Sequence, residues 1–202
     1  MSSTAAELGP GLDRDRQHAA QASGPGLDGT LKQVYVEYAS LVWRSLRRLG
    51  VQDPQLEDAV QDVFLIVHRR LGQFEGRSAL KTWIYGIAVR VAKNYRRTEL
   101  RYARRMDGLA NKIASADNLT DSPYDSTERR EASQLLYTIL SALPEHLRDV
   151  LVLVEFEELS AREASTALGI RLRTCQRRLQ TAIASVSAAL GDYLEGTRRF
   201  RS

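Results

Sequence analysis

The sequence predicts an all-α protein of two small helical domains joined by a flexible linker, with a helix-turn-helix in the C-terminal domain. Three observations lead to this fold class. Apolar residues recur at steps of three and four along most of the chain, which is the spacing of one face of an α-helix. This periodicity fades over residues 107–128. Close to the C-terminus, a helix that opens on the capping box Ser160-x-x-Glu163 is followed by a glycine turn and a second helix.

The N-terminal domain is predicted at residues 30–106, after a disordered tail at residues 1–29 that is rich in Ala, Gly and Ser. Its first helix ends at Gly50. Its second helix opens at Asp53-Pro54, which is typical of a cap followed by a proline in the first turn. Opposite its buried stripe, this second helix carries a mostly acidic face formed by Asp58, Gln61, Asp62 and Leu65.

The third helix, predicted from Leu80 to Arg105, is the longest and most basic element. On a helical wheel, five cations lie within an arc of roughly 80° beside the apolar stripe. These cations, here called the cationic ridge, are Arg90, Lys93, Arg97, Arg101 and Arg104. Like charges this close together repel one another unless an anion lies against them, so the ridge indicates contact with nucleic acid.

Two aromatic residues near the start of this helix have different predicted roles. Trp83 borders the apolar stripe, which favours packing in the core. Tyr85 lies further from the stripe and is therefore predicted to be more exposed. An exposed aromatic beside a cationic ridge is a candidate for stacking on a nucleic-acid base.

The second half of the chain begins with the predicted flexible linker at residues 107–128, which holds five acidic residues and one lysine. The C-terminal domain follows at residues 129–191 and a basic tail at residues 192–202. In its helix-turn-helix, the second helix buries an apolar stripe that includes Cys175 and turns a polar face outward. Arginine and glutamine on such a face read guanine and adenine edges in the major groove. The outward and flanking residues are Arg173, Thr174, Gln176, Arg177, Arg178, Gln180 and Thr181.

Composition excludes several kinds of site. A single cysteine rules out an internal disulfide, and the three histidines lack the paired spacing of metal motifs, so we predict neither a metal nor a cofactor. No apolar run is long enough to span a membrane, and the first thirty residues hold no signal-peptide core, so we expect a cytoplasmic protein without membrane insertion. The isoelectric point of about 9.4 fits an anionic partner.

Taken in order, the motifs of both halves resemble the bacterial RNA polymerase sigma factors of the sigma-70 family, in particular the compact extracytoplasmic-function (ECF) group. The likeness covers about residues 31–190. The motifs that carry it are DAVQDVFLIV from Asp58, FEGRSALKTWIYGIAV from Phe74, AKNYRR from Ala92, and LPEHLRDVLVL from Leu143 followed by the helix-turn-helix. Each motif alone is weak, and the ordered set is specific.

The resemblance implies that residues 30–106 are sigma region 2, which binds core polymerase and opens the minus-ten element, and residues 129–191 are region 4, which holds the minus-thirty-five element. It implies three partners: core RNA polymerase through its large-subunit clamp helices and flap, promoter DNA, and an anti-sigma factor. Asp58, Gln61, Asp62 and Leu65 would meet the clamp helices. The implied minus-ten contacts are Phe74, Arg77, Ser78, Lys81, Tyr85, Arg90, Lys93, Asn94, Arg97 and Arg101.

Three positions depart from the family pattern. Gly86 stands where arginine is common, Ala164-Ser165 replaces an Ile-Ala pair, and Arg171-Leu172-Arg173 replaces Pro-x-Gly. The effect of Gly86 does not follow from the sequence.

Two alternatives to a sigma factor are open at this point. One is a stand-alone helix-turn-helix regulator, which has no need of the DAVQDVFL face or the loop at Phe74. The other is a nucleic-acid-processing enzyme, for which the sequence offers no cluster of catalytic groups. We therefore expect a non-catalytic protein.

Overall fold

The computed structural model describes residues 27–107 and 127–199. Within these ranges the chain forms seven α-helices and no strand, which confirms the all-α fold class. Residues 1–26 of the predicted tail and residues 108–126 of the predicted linker lie outside the described residues. The helices are α1 (Leu27–Arg48), α2 (Leu56–Leu71), α3 (Leu80–Asp107), α4 (Thr127–Ala142), α5 (Glu145–Leu151), α6 (Ala161–Leu168) and α7 (Leu172–Arg199).

The N-terminal domain is the three-helix unit α1–α3, held by apolar stripes that meet in one core. Val42 of α1, Val63 of α2 and Ile84 of α3 are completely buried there. Between α1 and α2 the chain makes a short 3-10 turn, Asp53–Gln55, whose N-cap is Gln52. The prediction that Asp53 is the cap was therefore wrong, because its carboxylate instead pairs with Arg47 at 3.0 Å.

The C-terminal domain contains α4–α7. Pro144 occupies the N-cap of α5, and α5 continues directly into a π-helical segment, Val152–Phe156. The predicted capping box is confirmed, since the Ser160 hydroxyl accepts from the Glu163 amide at 3.2 Å and the Glu163 carboxylate accepts from the Ser160 amide at 2.9 Å. Gly169 ends α6 with a left-handed φ of 64°, a conformation that glycine adopts without a Cβ penalty.

The last helix is longer than predicted. We expected a frayed basic tail from residue 192, but α7 continues to Arg199. The sequence ASVSAALGDYLEGTRR keeps small, leucine and charged residues that favour a helix, and its two glycines each lower helix stability by only about 1 kcal/mol. The recognition helix is therefore the N-terminal part of a 28-residue helix.

The two domains pack against each other through α3 and α6. One close approach is at Gly86 of α3, where an ideal Cβ would lie 3.0 Å from the carbonyl oxygen of Ala167. A side chain at this position would make an unusually tight contact, so the Ala167 backbone would have to shift by a few tenths of an ångström. The two-domain organisation was predicted, but this docking of one domain onto the other was not.

The predicted acidic face of α2 needs one correction. Asp62 was expected at the surface, but it is only 4% exposed. Helix α3 packs across α2, and the Tyr95 hydroxyl donates a hydrogen bond to Asp62 Oδ2 at 2.8 Å. A wheel drawn for α2 alone could not show that α3 covers this side.

Replacing Tyr95 by phenylalanine removes a hydroxyl that serves a buried carboxylate. We expect Tyr95→Phe to lower the free energy of unfolding by about 1 to 3 kcal/mol, because a buried acceptor loses a donor. Urea unfolding followed by circular dichroism measures this. Tyr102→Phe, on the same helix but 64% exposed, is the matched control and should change little. Equal midpoints for the two variants would contradict the burial of Asp62.

Candidate nucleic-acid and polymerase interfaces

The cationic ridge lies along one side of α3. Arg90, Arg97 and Arg101 are exposed, as predicted. Lys93 is partly covered and pairs with Glu145 of α5 at 3.1 Å. The side chain of Arg104 lies outside the described residues. Three cations are thus open to an anionic ligand, while the fourth described member already contacts a carboxylate of the second domain.

The loop before α3 holds the predicted base-capture residues. The Phe74 ring is partly buried and lies 5.2 Å from the ring of Trp83, centroid to centroid. Trp83 itself packs against the core, so its predicted packing role is confirmed. Arg77 is exposed and pairs with Glu75. Ser78 and Lys81 next to this loop are partly exposed, and so is Asn94 further along α3.

Tyr85 is not exposed as predicted. Only 1% of it is accessible, and its hydroxyl donates to Glu157 Oε2 of the second domain at 2.6 Å. Burial and the Glu157 carboxylate both raise the pKa of Tyr85, so the hydroxyl stays protonated and keeps donating. The wheel described α3 alone and could not show that Glu157 of the second domain lies against this hydroxyl.

Arg96 is a residue whose importance the sequence did not show. Its side chain is 7% exposed and donates to Asp149 Oδ1 at 3.1 Å and to the carbonyl oxygen of Leu49. Glu145 is also within ion-pair distance of Arg96, at 3.4 Å. Glu145 and Asp149 are four residues apart and so share one face of α5. That acidic pair is the sequence signal that could have pointed to a cationic partner.

The pKa values of the two α5 carboxylates, Asp149 and Glu145, shift in opposite directions. Burial is the largest influence on Asp149 and raises its pKa, against the opposing charge of Arg96. Burial also acts to raise the pKa of Glu145, but the hydrogen bond from Lys93 and the charge of Arg96 outweigh it and the pKa is lowered. Of the two carboxylates, Glu145 is therefore the more firmly ionised, and it pairs with both Lys93 and Arg96.

The C-terminal end of α1 completes the contact between domains. Arg48 pairs with Glu157 at 3.2 Å, and the Arg47 guanidinium lies 4.6 Å from the centroid of the Tyr137 ring. From α5 of the C-terminal domain, Arg148 donates to the carbonyl oxygen of Leu49 at 3.4 Å. We call this whole contact the closed interface: Arg48, Tyr85, Gly86, Lys93 and Arg96 of the first domain against Glu145, Arg148, Asp149, Glu157 and Ala167 of the second.

The recognition helix presents the predicted minus-thirty-five residues together. Arg173, Gln176 and Arg177 are exposed, and so are Gln180 and Thr181, while Thr174 and Arg178 are partly exposed. Five of these residues line one open cleft of about 850 Å³ that also includes Ala161 and Arg171: Arg173, Thr174, Gln176, Arg177 and Gln180. Beneath them Cys175 is fully buried, as predicted, and burial raises its thiol pKa.

The predicted polymerase face of α2 keeps three of its four members near the surface. Asp58 and Gln61 are exposed, Leu65 is partly exposed, and only Asp62 is buried. On the neighbouring helix α1, Tyr35 packs edge-on against Phe64 at 4.8 Å, and Val36 is 74% exposed. The face therefore combines acidic, amide and apolar groups, a mixture typical of protein contacts.

Among the described residues, no group of three histidine, cysteine, aspartate or glutamate side chains is arranged to hold a metal ion. None of the described helices is both long and apolar enough to cross a membrane.

The two helical domains, one with an aromatic loop beside a cationic helix and the other with an exposed helix of a helix-turn-helix, define a helical protein with two candidate nucleic-acid-binding surfaces. Residues 34–102 match the family description Sigma-70 region 2, and residues 133–186 match Sigma-70, region 4. The chain belongs to the sigma-70 family of RNA polymerase sigma factors, in its ECF group.

Curated relatives support the same assignment. The chain is 32% identical over 150 residues to the RNA polymerase sigma-H factor of Pseudomonas aeruginosa, which covers 71% of this chain and 78% of the relative. It is 30% identical over 141 residues to the ECF RNA polymerase sigma-E factor of Escherichia coli K12, covering 64% and 70%. It is also 29% identical to the sigma factor YlaC of Bacillus subtilis, covering 77% and 87%.

Solved structures share the fold. CnrH in complex with the cytosolic domain of CnrY matches with a TM-score of 0.61 at 19% identity, covering 90% of this chain and 97% of that chain. The sigma factor RpoE in complex with the anti-sigma factor NepR from Bartonella quintana matches with a TM-score of 0.66 at 21% identity, covering 79% and 96%. The two family matches and the curated relatives show that this protein is a sigma factor that directs promoter-specific transcription. The stand-alone regulator is disfavoured because region 2 is present.

Proposed function

We propose that this sigma factor opens the minus-ten element along α3 and holds the minus-thirty-five element with α7. The observation that carries the first part is the row of exposed cations Arg90, Arg97 and Arg101 on one side of α3. Helix α3 has 28 residues and is about 42 Å long at ~1.5 Å per residue, enough to follow several nucleotides. A cationic groove of this length suits the phosphates of a separated strand.

The chemistry of opening is binding energy alone. A base that leaves the stack is captured at the loop that carries Phe74, Arg77 and Ser78, with Lys81 and Asn94 beside the strand. Capture of unstacked bases shifts the equilibrium from closed to open duplex without ATP. In this assignment Tyr85 and Lys93 reach DNA only once the second domain has moved away, because both now contact its carboxylates.

On α7, Arg173, Gln176 and Arg177 read base edges, since they are exposed and arginine and glutamine match guanine and adenine in the major groove. The other predicted residues of this helix contact the phosphate backbone or the flanks of the site: Thr174, Arg178, Gln180 and Thr181. The recognition helix then sets position and sequence preference, while α3 supplies the opening.

The protein partners follow from the surface of α2. Asp58, Gln61 and Leu65 bind the clamp helices of the large polymerase subunit, with Asp62 supporting the face from beneath, and the C-terminal domain meets the flap. An anti-sigma factor competes for the same partly apolar surface; RpoE of Bartonella quintana, a sigma factor of similar fold, forms a complex with the anti-sigma factor NepR. The chain contributes no catalysis and works in the cytoplasm, where polymerase and promoter meet.

Reconstitution tests the proposal as a whole. Purified chain added to bacterial core polymerase should start transcription at a cognate promoter selected from a random library, because both sigma regions are present. The measurement is run-off transcript with and without the chain. Core enzyme that ignores the chain, together with tight binding of the chain alone to duplex DNA, would refute the proposal.

The ridge can be tested by removing two phosphate contacts. Arg97→Ala combined with Arg101→Ala should weaken promoter opening and reduce the slope of log affinity against log salt by about 1.4, since each single-strand phosphate contact contributes about 0.7. Lys32→Ala with Arg44→Ala removes the same charge from exposed positions of α1 and is the control. An unchanged salt slope in the α3 variant would count against the ridge.

Base reading by α7 is tested with Arg177→Ala. If Arg177 contacts a guanine, the variant should lose about 1 to 3 kcal/mol of minus-thirty-five binding and tolerate substitutions at one base pair. Competition binding against a set of single-base variants measures both effects. Arg162→Ala is the control. Arg162 is exposed on α6, the first helix of the helix-turn-helix, which contacts the DNA backbone, so its loss should not relax the sequence preference.

A further inference from the structure

One arginine of the helix-turn-helix has no role in the proposed function. Arg171 lies in the turn between α6 and α7, and it is exposed. It lines the same open cleft as the predicted minus-thirty-five residues, together with Ala161 at the start of α6. The cleft is therefore bordered by both helices of the motif, and Arg171 lies in the segment that joins them.

We infer that Arg171 binds a phosphate of the DNA backbone at the edge of the minus-thirty-five element, a contact that the Pro-x-Gly pattern of the family cannot supply. The inference rests on the proposed function of α7. Proline and glycine carry no cationic side chain, so a contact of this kind depends on the arginine that this chain has in its place.

The position of Arg171 in the motif favours contact with the backbone over contact with a base. In a helix-turn-helix the first helix crosses the phosphate backbone and the second enters the major groove. A side chain in the turn between them lies at the rim of the groove, whereas Gln176 and Arg177 lie further along α7. The planar guanidinium of an arginine at the rim can bind two oxygens of one phosphate.

The charge around the cleft favours an anionic ligand. From residue 164 to residue 191 the sequence holds four arginines and no acidic residue. The carboxylate of Glu163, which precedes this stretch, accepts from the Ser160 amide at 2.9 Å in the capping box. Within the part of the chain that the structure describes, Arg171 forms no ion pair. Its guanidinium is therefore available to a phosphate.

The backbone of the turn is held in place on both sides. The Ile170 amide donates to the carbonyl oxygen of Ser165 at 3.0 Å. The Cys175 amide donates to the carbonyl oxygen of Arg171, also at 3.0 Å. Because Cys175 is fully buried, this second bond ties Arg171 to the core of the domain. A contact from a backbone that is already ordered costs less conformational entropy on binding.

A scan of neutral phosphates tests the inference with a measurement that a merely structural role would not change. The probe is a duplex selected by the full chain in complex with core polymerase, in which one phosphate at a time is replaced by an uncharged methylphosphonate. The parent should lose affinity at one edge phosphate to which Arg171→Ala is insensitive. The variant should also lower the slope of log affinity against log salt by about 0.9, the contribution of one phosphate contact in duplex DNA.

Further variants separate the contact from general effects. Arg171→Lys keeps the charge and should keep both the salt slope and the sensitivity to that phosphate. Lys32→Ala removes one positive charge from an exposed position of the other domain and should match the parent at every phosphate. If Arg171→Ala fails to fold, Arg171→Gln repeats the test with a longer uncharged side chain.

The outcomes distinguish this inference from the proposed function. Suppose that Arg171→Ala keeps the parental salt slope and the parental response to every neutral phosphate, while Arg177→Ala still relaxes the preference at one base pair. The phosphate contact is then wrong and the function of α7 stands. An Arg171→Ala variant that tolerates new bases reads a base instead, which also overturns the inference. If the chain with core polymerase selects no duplex, the proposed function fails and the contact fails with it.

Discussion

The docking of the two domains depends on the buried side chain of Arg96, which contacts both of them. Its guanidinium is almost fully buried and takes its partners from two places, the carbonyl oxygen of Leu49 in its own domain and the carboxylate of Asp149 in the other. A buried charge is stable only when paired, because the cost of removing it from water exceeds a single weak contact. When the domains separate, Arg96 regains water in place of Asp149. The Arg96 guanidinium therefore has hydrogen-bond partners whether the domains are docked or separated. Asp149 is its partner in the docked arrangement, and water replaces Asp149 when the domains separate.

Helix α3 has to satisfy three neighbours with one sequence. One side packs in the core of the N-terminal domain, a second lies under the C-terminal domain, and the third carries the exposed cations. This explains why a helix rich in arginine is also rich in buried small residues, such as Ala88 and Ala92. The cations Arg90, Arg97 and Arg101 stay exposed where the domains dock, while Tyr85 and Lys93 contact carboxylates of the second domain.

Much of the architecture followed from local sequence patterns. The apolar stripes, the capping box at Ser160 and the turn at Gly169 depend on neighbours within a few residues, and such patterns predict helices and their ends well. The burial of Asp62 and Tyr85 could not be predicted in this way. Tyr95 of α3 donates to Asp62, and Glu157 of the second domain accepts from Tyr85. A helical wheel describes one helix and holds no information about a second neighbour.

Glu157 follows the π-helical segment and accepts from two different helices, from Arg48 of α1 at 3.2 Å and from Tyr85 of α3 at 2.6 Å. Because α1 and α3 belong to one rigid core, a small rotation of the second domain cannot release one contact and keep the other in good geometry. The carboxylate is 3% exposed, so a half-released oxygen would lose its donor without gaining water. Undocking should therefore be cooperative, with an abrupt transition between two populations and few intermediates, rather than a graded hinge motion.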